Sequence, residues 1–194
     1  MKILRPFFLG IIAALLAFVF ELFFSFSLTF ESDLLFQKVS WILVIFVLIE
    51  EIIKLAFVWK NFSVSINKIS KLQIFFQSLL IGLGFALTET AIKTSGLLPG
   101  ESNNLSSYIP FFGAIIIHIG TSGLMGYLLI RAKKINLWTF FQIMLVIFGW
   151  HFLFNFFEIQ TVNPWIMLVF LLSLGLFVAL AGFKIATFQK TYTQ

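Results

Sequence analysis

The ten residues LIEEIIKLAF, at positions 48–57, place two adjacent carboxylates and a lysine inside a run of apolar residues. On a helix with about 100° between successive residues, Lys54 lies between Glu50 and Glu51 around the axis, so one ammonium group can serve both carboxylates. Glutamates act as general bases toward water or as metal ligands. Taken alone, the cluster is explained equally well by a buried ion pair that fixes helix packing.

Two histidines further along the chain are each followed, one helical turn later, by a polar side chain. Ser122 comes four residues after His118, and Asn155 comes four residues after His151. Side chains at this spacing project from the same helix face. A histidine and an asparagine together supply two donors for a developing oxyanion, and a glutamate opposite a histidine can hold and deprotonate one water molecule.

Two further carboxylates lie in apolar segments. Glu89 has Lys93 at i+4, whereas Glu21 has no partner on its own helix and is interpreted as a packing or lipid-facing carboxyl. An ionised residue at the bilayer centre costs about 2.5–3.5 kcal/mol. Several such penalties in one small chain favour a functional site over coincidence.

The composition indicates what surrounds these groups. The chain has 194 residues, of which 60% are hydrophobic and 11% are charged, whereas about a quarter of a soluble domain is charged. This predicts an integral membrane protein. The absence of cysteine excludes disulfides and thiolate metal sites.

A membrane-spanning helix needs about 20 mostly apolar residues, and six segments qualify. The prediction is an all-α, polytopic integral membrane helical bundle of about six transmembrane helices, forming a single domain over residues 1–194. Small residues at four-residue spacing, Gly10 with Ala14 and Gly82 with Ala86, are predicted to mark faces where helices pack closely. The six predicted spans are Pro6–Phe30, Phe36–Trp59, Leu72–Leu98, Tyr108–Ile130, Leu137–Phe157 and Pro164–Phe188.

The charges between the spans predict the orientation. If the spans alternate, almost all basic residues fall on one side, and the positive-inside rule makes that side, with both termini, cytoplasmic. The predicted location is the cell membrane, with the lipid bilayer as a partner. Since the net charge of +5 is dispersed between apolar runs, no nucleic-acid surface is expected. The basic side carries Lys2, Arg5, Lys60, Lys68, Lys71, Arg131, Lys133, Lys134, Lys184 and Lys190, and the opposite side carries Glu31, Asp33, Lys38, Glu101 and Glu158.

At about 1.5 Å of rise per residue, the carboxylates and histidines of four consecutive spans fall in a common slab in the outer half of the bilayer. In order, the motifs that carry them resemble the four signature motifs of the PrsW intramembrane proteases, within the superfamily of CAAX-processing and bacteriocin-processing proteases. The resemblance covers roughly residues 40–160. Its segments are EEIIK (50–54), GFALTE (84–89), HIGTSGLMG (118–126) and HFLFN (151–155).

This resemblance implies a glutamic-type endopeptidase, free of cofactors, that cuts a membrane-associated protein or peptide such as an anti-sigma factor. It implies that Glu50 is the principal base, that His118 shares the activated water, and that His151 and Asn155 stabilise the oxyanion. Glu51 belongs to the same predicted catalytic set and would, with Lys54, position Glu50 electrostatically. The supporting residues that the resemblance implies are Lys54, Glu89 and Ser122. Thr90 and Ser122 stand where the family commonly has asparagine and threonine.

Three alternatives remain open from the residues. His118, His151 and one glutamate could bind a catalytic zinc ion and leave a position for water, but Asn155 and Ser122 are poor zinc ligands, which favours catalysis without a metal. A non-enzymatic scaffold related to the polytopic γ-secretase subunit would use the same polar groups for assembly. A proton- or cation-coupled transporter would use them as a relay, although no repeat or broken span supports this.

Overall fold

The computed structural model describes residues 4–27, 41–95, 105–132, 135–160 and 162–191. Within these ranges the chain is entirely helical, as predicted, and every element is a long α-helix. The single domain over residues 1–194 stays a prediction. The helices are α1 (Leu4–Ser27), α2 (Trp41–Ser65), α3 (Lys71–Ser95), α4 (Leu105–Arg131), α5 (Leu137–Ile159) and α6 (Pro164–Thr191).

Five of these helices, α1 and α3 to α6, are long and apolar enough to cross a membrane. The helix α2 is as long, at 25 residues, but it carries three charged residues near its middle. The outer faces of the bundle expose large apolar side chains such as Phe23, Leu172 and Phe183, which suits contact with acyl chains rather than water. The chain is a multi-pass membrane protein.

The helix bounds agree with the predicted spans to within three residues at most described ends. The exception is α2, which continues to Ser65 instead of ending at Trp59. Hydropathy detects only the apolar part of a helix, whereas the backbone hydrogen bonds continue into the polar residues beyond it. Buried Asn61 in this extension donates a hydrogen bond of 2.9 Å to Gln77 on α3.

Some predictions of the sequence lie outside the described residues. They are the span ends at Phe30, Phe36 and Leu98, and the loop charges at Lys2, Glu31, Asp33, Lys38, Glu101, Lys133 and Lys134.

Side-chain caps mark the starts of two helices. The Ser70 hydroxyl accepts a hydrogen bond from the Gln73 backbone N–H, and the Gln73 side chain accepts one from the Ser70 backbone N–H, which is a capping box before α3. Asn136 caps α5 by accepting a hydrogen bond of 2.9 Å from the Thr139 backbone N–H. These caps fix where the two helices that carry Glu89 and His151 begin.

Glycines allow the helices to cross closely, as the small-residue spacing predicted. A Cβ atom on Gly10 of α1 would overlap the backbone of Ile81 on α3, and one on Gly84 of α3 would overlap the backbone of Phe7. Buried Ala14 continues this face of α1. The first helix is therefore held tightly against α3.

The crossing of α3 and α4 shows that the two helices run antiparallel. Gly82 lies against His118, where an added Cβ would be 2.5 Å from the backbone oxygen, and Gly126 lies against Ser78. Residue numbers therefore increase along α4 in the direction in which they decrease along α3. This direction agrees with the alternation from which the topology was predicted.

Candidate active site

Helix α2 supplies three buried charged side chains at the centre of the bundle. Glu50 is 5% exposed, and Glu51 and Lys54 are fully buried. The Lys54 Nζ atom donates a hydrogen bond of 2.5 Å to Glu51 Oε1 and lies 4.7 Å from the centre of the Phe85 ring. Because a buried ammonium is costly unless it is paired, the carboxylate and the aromatic face together explain why lysine is accommodated here.

The imidazole of His151, from α5, lies between the two glutamates. Its Nδ1 atom is 2.5 Å from Glu51 Oε1, and its Nε2 atom is 3.6 Å from Glu50 Oε2. An ionised carboxylate can only accept, so the proton is on Nδ1 and is donated to Glu51. The Nε2 lone pair then faces Glu50.

The second histidine, His118 of α4, has a charged partner at each ring nitrogen. Its Nδ1 atom is 2.8 Å from Lys54 Nζ, and its Nε2 atom contacts the Glu89 carboxylate. An ammonium group has no acceptor, so Nδ1 accepts and the imidazole proton is on Nε2. Lys93 also pairs with Glu89. Three of the four helices that carry the motifs, α2, α3 and α4, are thus joined by one polar network.

Three groups in this network are close enough to share one bound species. One donor atom each from Glu50, His118 and His151 lies within 4.8 Å of the others, and the imidazole rings are 4.8 Å apart between centroids. Three atoms separated by no more than 4.8 Å surround a position that is within about 2.8 Å of each of them. A water oxygen at that position would be at hydrogen-bond distance from all three atoms. The zinc–ligand distance is shorter, about 2.0–2.2 Å.

Buried polar atoms without a partner also identify this region as a site. Glu50 Oε2, Glu51 Oε2 and Ser122 Oγ have no hydrogen-bond partner among the described residues. Leaving such groups unpaired costs free energy that a stable core normally avoids. They are therefore candidates to bind a ligand, substrate or water.

A cavity of about 90 Å³ adjoins Glu50 and contains Glu21. The Glu21 carboxyl is within hydrogen-bonding reach of Glu50. Glu21 therefore faces the bundle rather than the lipid, and its partner on α2 could not be recognised from spacing on α1. The useful signal in the sequence was the cost of a carboxyl within a span. The cavity is lined by Ala14, Ala17, Phe18, Glu21, Glu50, Phe85, Glu89, Ile92 and Lys93.

The structure brings together six of the eight predicted site residues, namely Glu50, Glu51, Lys54, Glu89, His118 and His151. The other two are placed less directly. Ser122 is fully buried at the α3 crossing, where its Cβ would be 2.9 Å from a Cβ on Gly82. Asn155 is half-buried one turn after His151 and makes no hydrogen bond to the residues described. The roles of all eight stay predictions.

Comparison with known proteins agrees with this arrangement. The chain matches the family model described as PrsW family intramembrane metalloprotease over residues 2–183, which is nearly its whole length. No curated protein and no solved structure matches it. The match extends well beyond the four motifs and favours the protease over the transporter and scaffold alternatives. The chain belongs to the PrsW family of intramembrane proteases and is a membrane endopeptidase.

Proposed function

We propose that this membrane endopeptidase hydrolyses a peptide bond with a water molecule held between Glu50 and His151. The observation that carries the proposal is the separation of 3.6 Å between Glu50 Oε2 and His151 Nε2. With the His151 proton assigned to Nδ1 and Glu50 ionised, both of these atoms are acceptors. One water can donate a hydrogen to each of two acceptors at this separation. Its lone pairs are then directed at a third position, where a scissile carbonyl carbon would lie.

In this mechanism Glu50 takes the proton as the water oxygen attacks the carbonyl carbon, and returns it to the nitrogen when the C–N bond breaks. Glu51 holds the His151 ring in its tautomer through Nδ1. The Asn155 amide is proposed as a donor to the oxyanion. This exchanges the histidine roles that the resemblance implies, since both ring nitrogens of His118 already have charged partners.

The substrate class follows from the position of the site. The water-binding atoms lie among buried residues of membrane helices, so the scissile bond must enter the bundle from the bilayer or its surface. We propose a membrane-associated regulatory protein, such as an anti-sigma factor, as the substrate. The cell membrane location, with both termini cytoplasmic, belongs to the same proposal.

A divalent metal ion is the second candidate, because the family is described as metalloproteases and the donor types fit. Glu50, His118 and His151 would hold it, while Glu51 already orients His151 as a carboxylate partner does at zinc sites. One ring nitrogen of His118 would have to exchange Lys54 or Glu89 for the ion. When bound, the ion would polarise the water or the carbonyl oxygen.

The two candidates are separated by cleavage assays on the purified protein in liposomes. A pool of single-span peptides would be incubated with the protein, and new termini would be identified by mass spectrometry. Catalysis without a metal predicts that 1,10-phenanthroline leaves the rate unchanged. Loss of cleavage that zinc restores would establish the metal candidate, and cleavage that persists in Glu50→Gln would overturn both.

A further inference from the structure

The cavity beside Glu50 is built by helices α1, α2 and α3, and both apolar and charged side chains line it. Ala14, Ala17 and Phe18 form the α1 side together with Glu21, and Phe85 lies on α3. Its volume of about 90 Å³ has room for about three water molecules at ~30 Å³ each. The alanines keep this space open, since a larger side chain at either position would project into it.

The carboxylates around this cavity are unequally neutralised. Glu89 pairs with Lys93 and contacts His118, and Glu51 outside the cavity pairs with Lys54. Within the part of the chain that the structure describes, neither Glu21 nor Glu50 forms an ion pair with a lysine or arginine. The cavity is therefore acidic, because three carboxyl groups line it and the only ammonium among its lining side chains, that of Lys93, is paired with Glu89.

Glu50 connects the cavity to the reactive atoms. It lines the cavity, is 5% exposed, and its Oε2 atom has no hydrogen-bond partner among described residues. The same Oε2 atom lies 3.6 Å from His151 Nε2. A substrate carbonyl at the Glu50–His151 water therefore has this cavity directly beside it.

We propose that the cavity is the subsite for a basic side chain next to the scissile bond, with Glu21 as the residue that recognises it. The inference rests on the proposed function. A cation buried among apolar walls needs negative charge close by. Glu21 and Glu50 are in hydrogen-bonding contact and share a proton, and a cationic side chain between them would displace that proton and pair with both carboxylates. A neutral side chain in the same cavity would gain no such ion pair, and an acidic one would be repelled.

The charge preference can be measured without any substrate, because the chain contains no cysteine. Ala17→Cys would be treated in detergent with methanethiosulfonates carrying a cationic aminoethyl, a neutral methyl or an anionic sulfonatoethyl group. The cationic reagent is expected to react at least about tenfold faster than the anionic one, as in a negatively charged cleft. Adding Glu21→Gln should reduce this ratio about threefold or more, since it removes one of the two carboxyls.

A matched control is available in a second cavity, at the C-terminal end of α4, which is lined by Arg131 and Ala132. Ala132→Cys is expected to react at least as fast with the anionic reagent, and Glu21→Gln should leave its ratio unchanged. If Ala17→Cys does not fold, the half-buried Phe18→Cys reports on the same cavity. Equal rates for both reagents, or no reaction at either cysteine, would overturn the proposal.

Cleavage provides the second measurement and distinguishes this inference from the proposed function. Peptides that differ only in lysine or norleucine beside the scissile bond would be compared at limiting concentration. Glu21→Gln should lower kcat/KM for the lysine peptide about tenfold more than for the norleucine peptide. Equal loss for both peptides would contradict recognition by Glu21, whereas absence of cleavage of either peptide by the unmodified protein would count against the proposed function alone.

Discussion

Lys54 is fully buried, and its three contacts explain how the bundle accommodates it. It donates to Glu51 Oε1, lies 2.8 Å from His118 Nδ1, and faces the Phe85 ring. Both of its polar partners are themselves buried. Removing the ammonium would leave Glu51 with only His151 as a partner, so Lys54 is expected to stabilise the bundle as well as to order the site.

We expect Lys54→Met to lower the free energy of unfolding by about 3–5 kcal/mol, which is the usual cost of breaking a buried pair. The double variant Lys54→Met/Glu51→Gln should recover most of this loss because no isolated charge remains, yet it should stay inactive. Thermal melting in detergent and the peptide cleavage assay measure the two effects. An unchanged melting temperature in Lys54→Met would show that the pair contributes nothing to stability.

The proposed catalytic roles predict unequal losses of rate. Glu50→Gln should abolish cleavage because the amide cannot take the proton of the water. Asn155→Ala should leave a weak enzyme, slowed by about 10²–10³, as when a single oxyanion donor is lost. Single-turnover rates in liposomes measure both. The control is Glu158→Gln, the same replacement at an exposed end of α5, which should have little effect; equal mild losses in Glu50→Gln and Asn155→Ala would contradict the roles.

Helix α4 places His118 correctly because α3 has a glycine where the two backbones cross. A Cβ on Gly82 would lie 2.5 Å from the His118 backbone oxygen and 2.8 Å from Ile119 Cα. Both atoms belong to the backbone and cannot rotate away. Any side chain at position 82 must therefore push α4, and the His118 ring with it, away from Lys54 and Glu89.

Gly82→Ala is accordingly expected to lower the melting temperature and the cleavage rate together. Its matched control is Gly175→Ala on α6, where nothing lies within 4 Å of an added Cβ. That change should be neutral or stabilising by up to about 1 kcal/mol, from the better helix propensity of alanine. Parallel melting curves of the two variants test this, and similar losses in both would show that the crossing is not tight.

At the scale of the whole molecule, alternation of the six helices predicts that Arg131, Lys184 and the α2–α3 turn with Lys68 lie on the same side of the membrane. The positive-inside rule then predicts that this side is cytoplasmic. The candidate site is then nearer the opposite surface. That orientation remains a prediction that labelling can decide.

Lys68→Cys and Ile159→Cys place one cysteine in an exposed position on each side of a chain that otherwise has none. In intact cells an impermeant maleimide should label Ile159→Cys at once and Lys68→Cys only after lysis. The unmodified chain serves as the control because it has no thiol to react. The reverse pattern would place both termini outside the cytoplasm.

Much of this protein could be inferred from its sequence because the bilayer imposes a simple rule. A chain in hydrocarbon must satisfy its backbone within helices, so long apolar runs predicted the six helices, and charges in those runs marked Glu50, Glu51, Lys54, Glu89, His118 and His151 as unusual. Spacing along one helix also paired Glu89 with Lys93, which the structure confirms. These are local properties that depend only on residues close together in the sequence.

Only the tertiary structure decided which group on one helix meets which group on another. His151 rather than His118 lies between Glu50 and Glu51, and Glu21 lies at the cavity beside Glu50. These contacts depend on the rotation and crossing of each helix, which are determined in part by glycines that lie against the backbones of distant helices. Spacing on a single helix contains no record of such partners, and for this reason Glu21 was not recognised from the sequence.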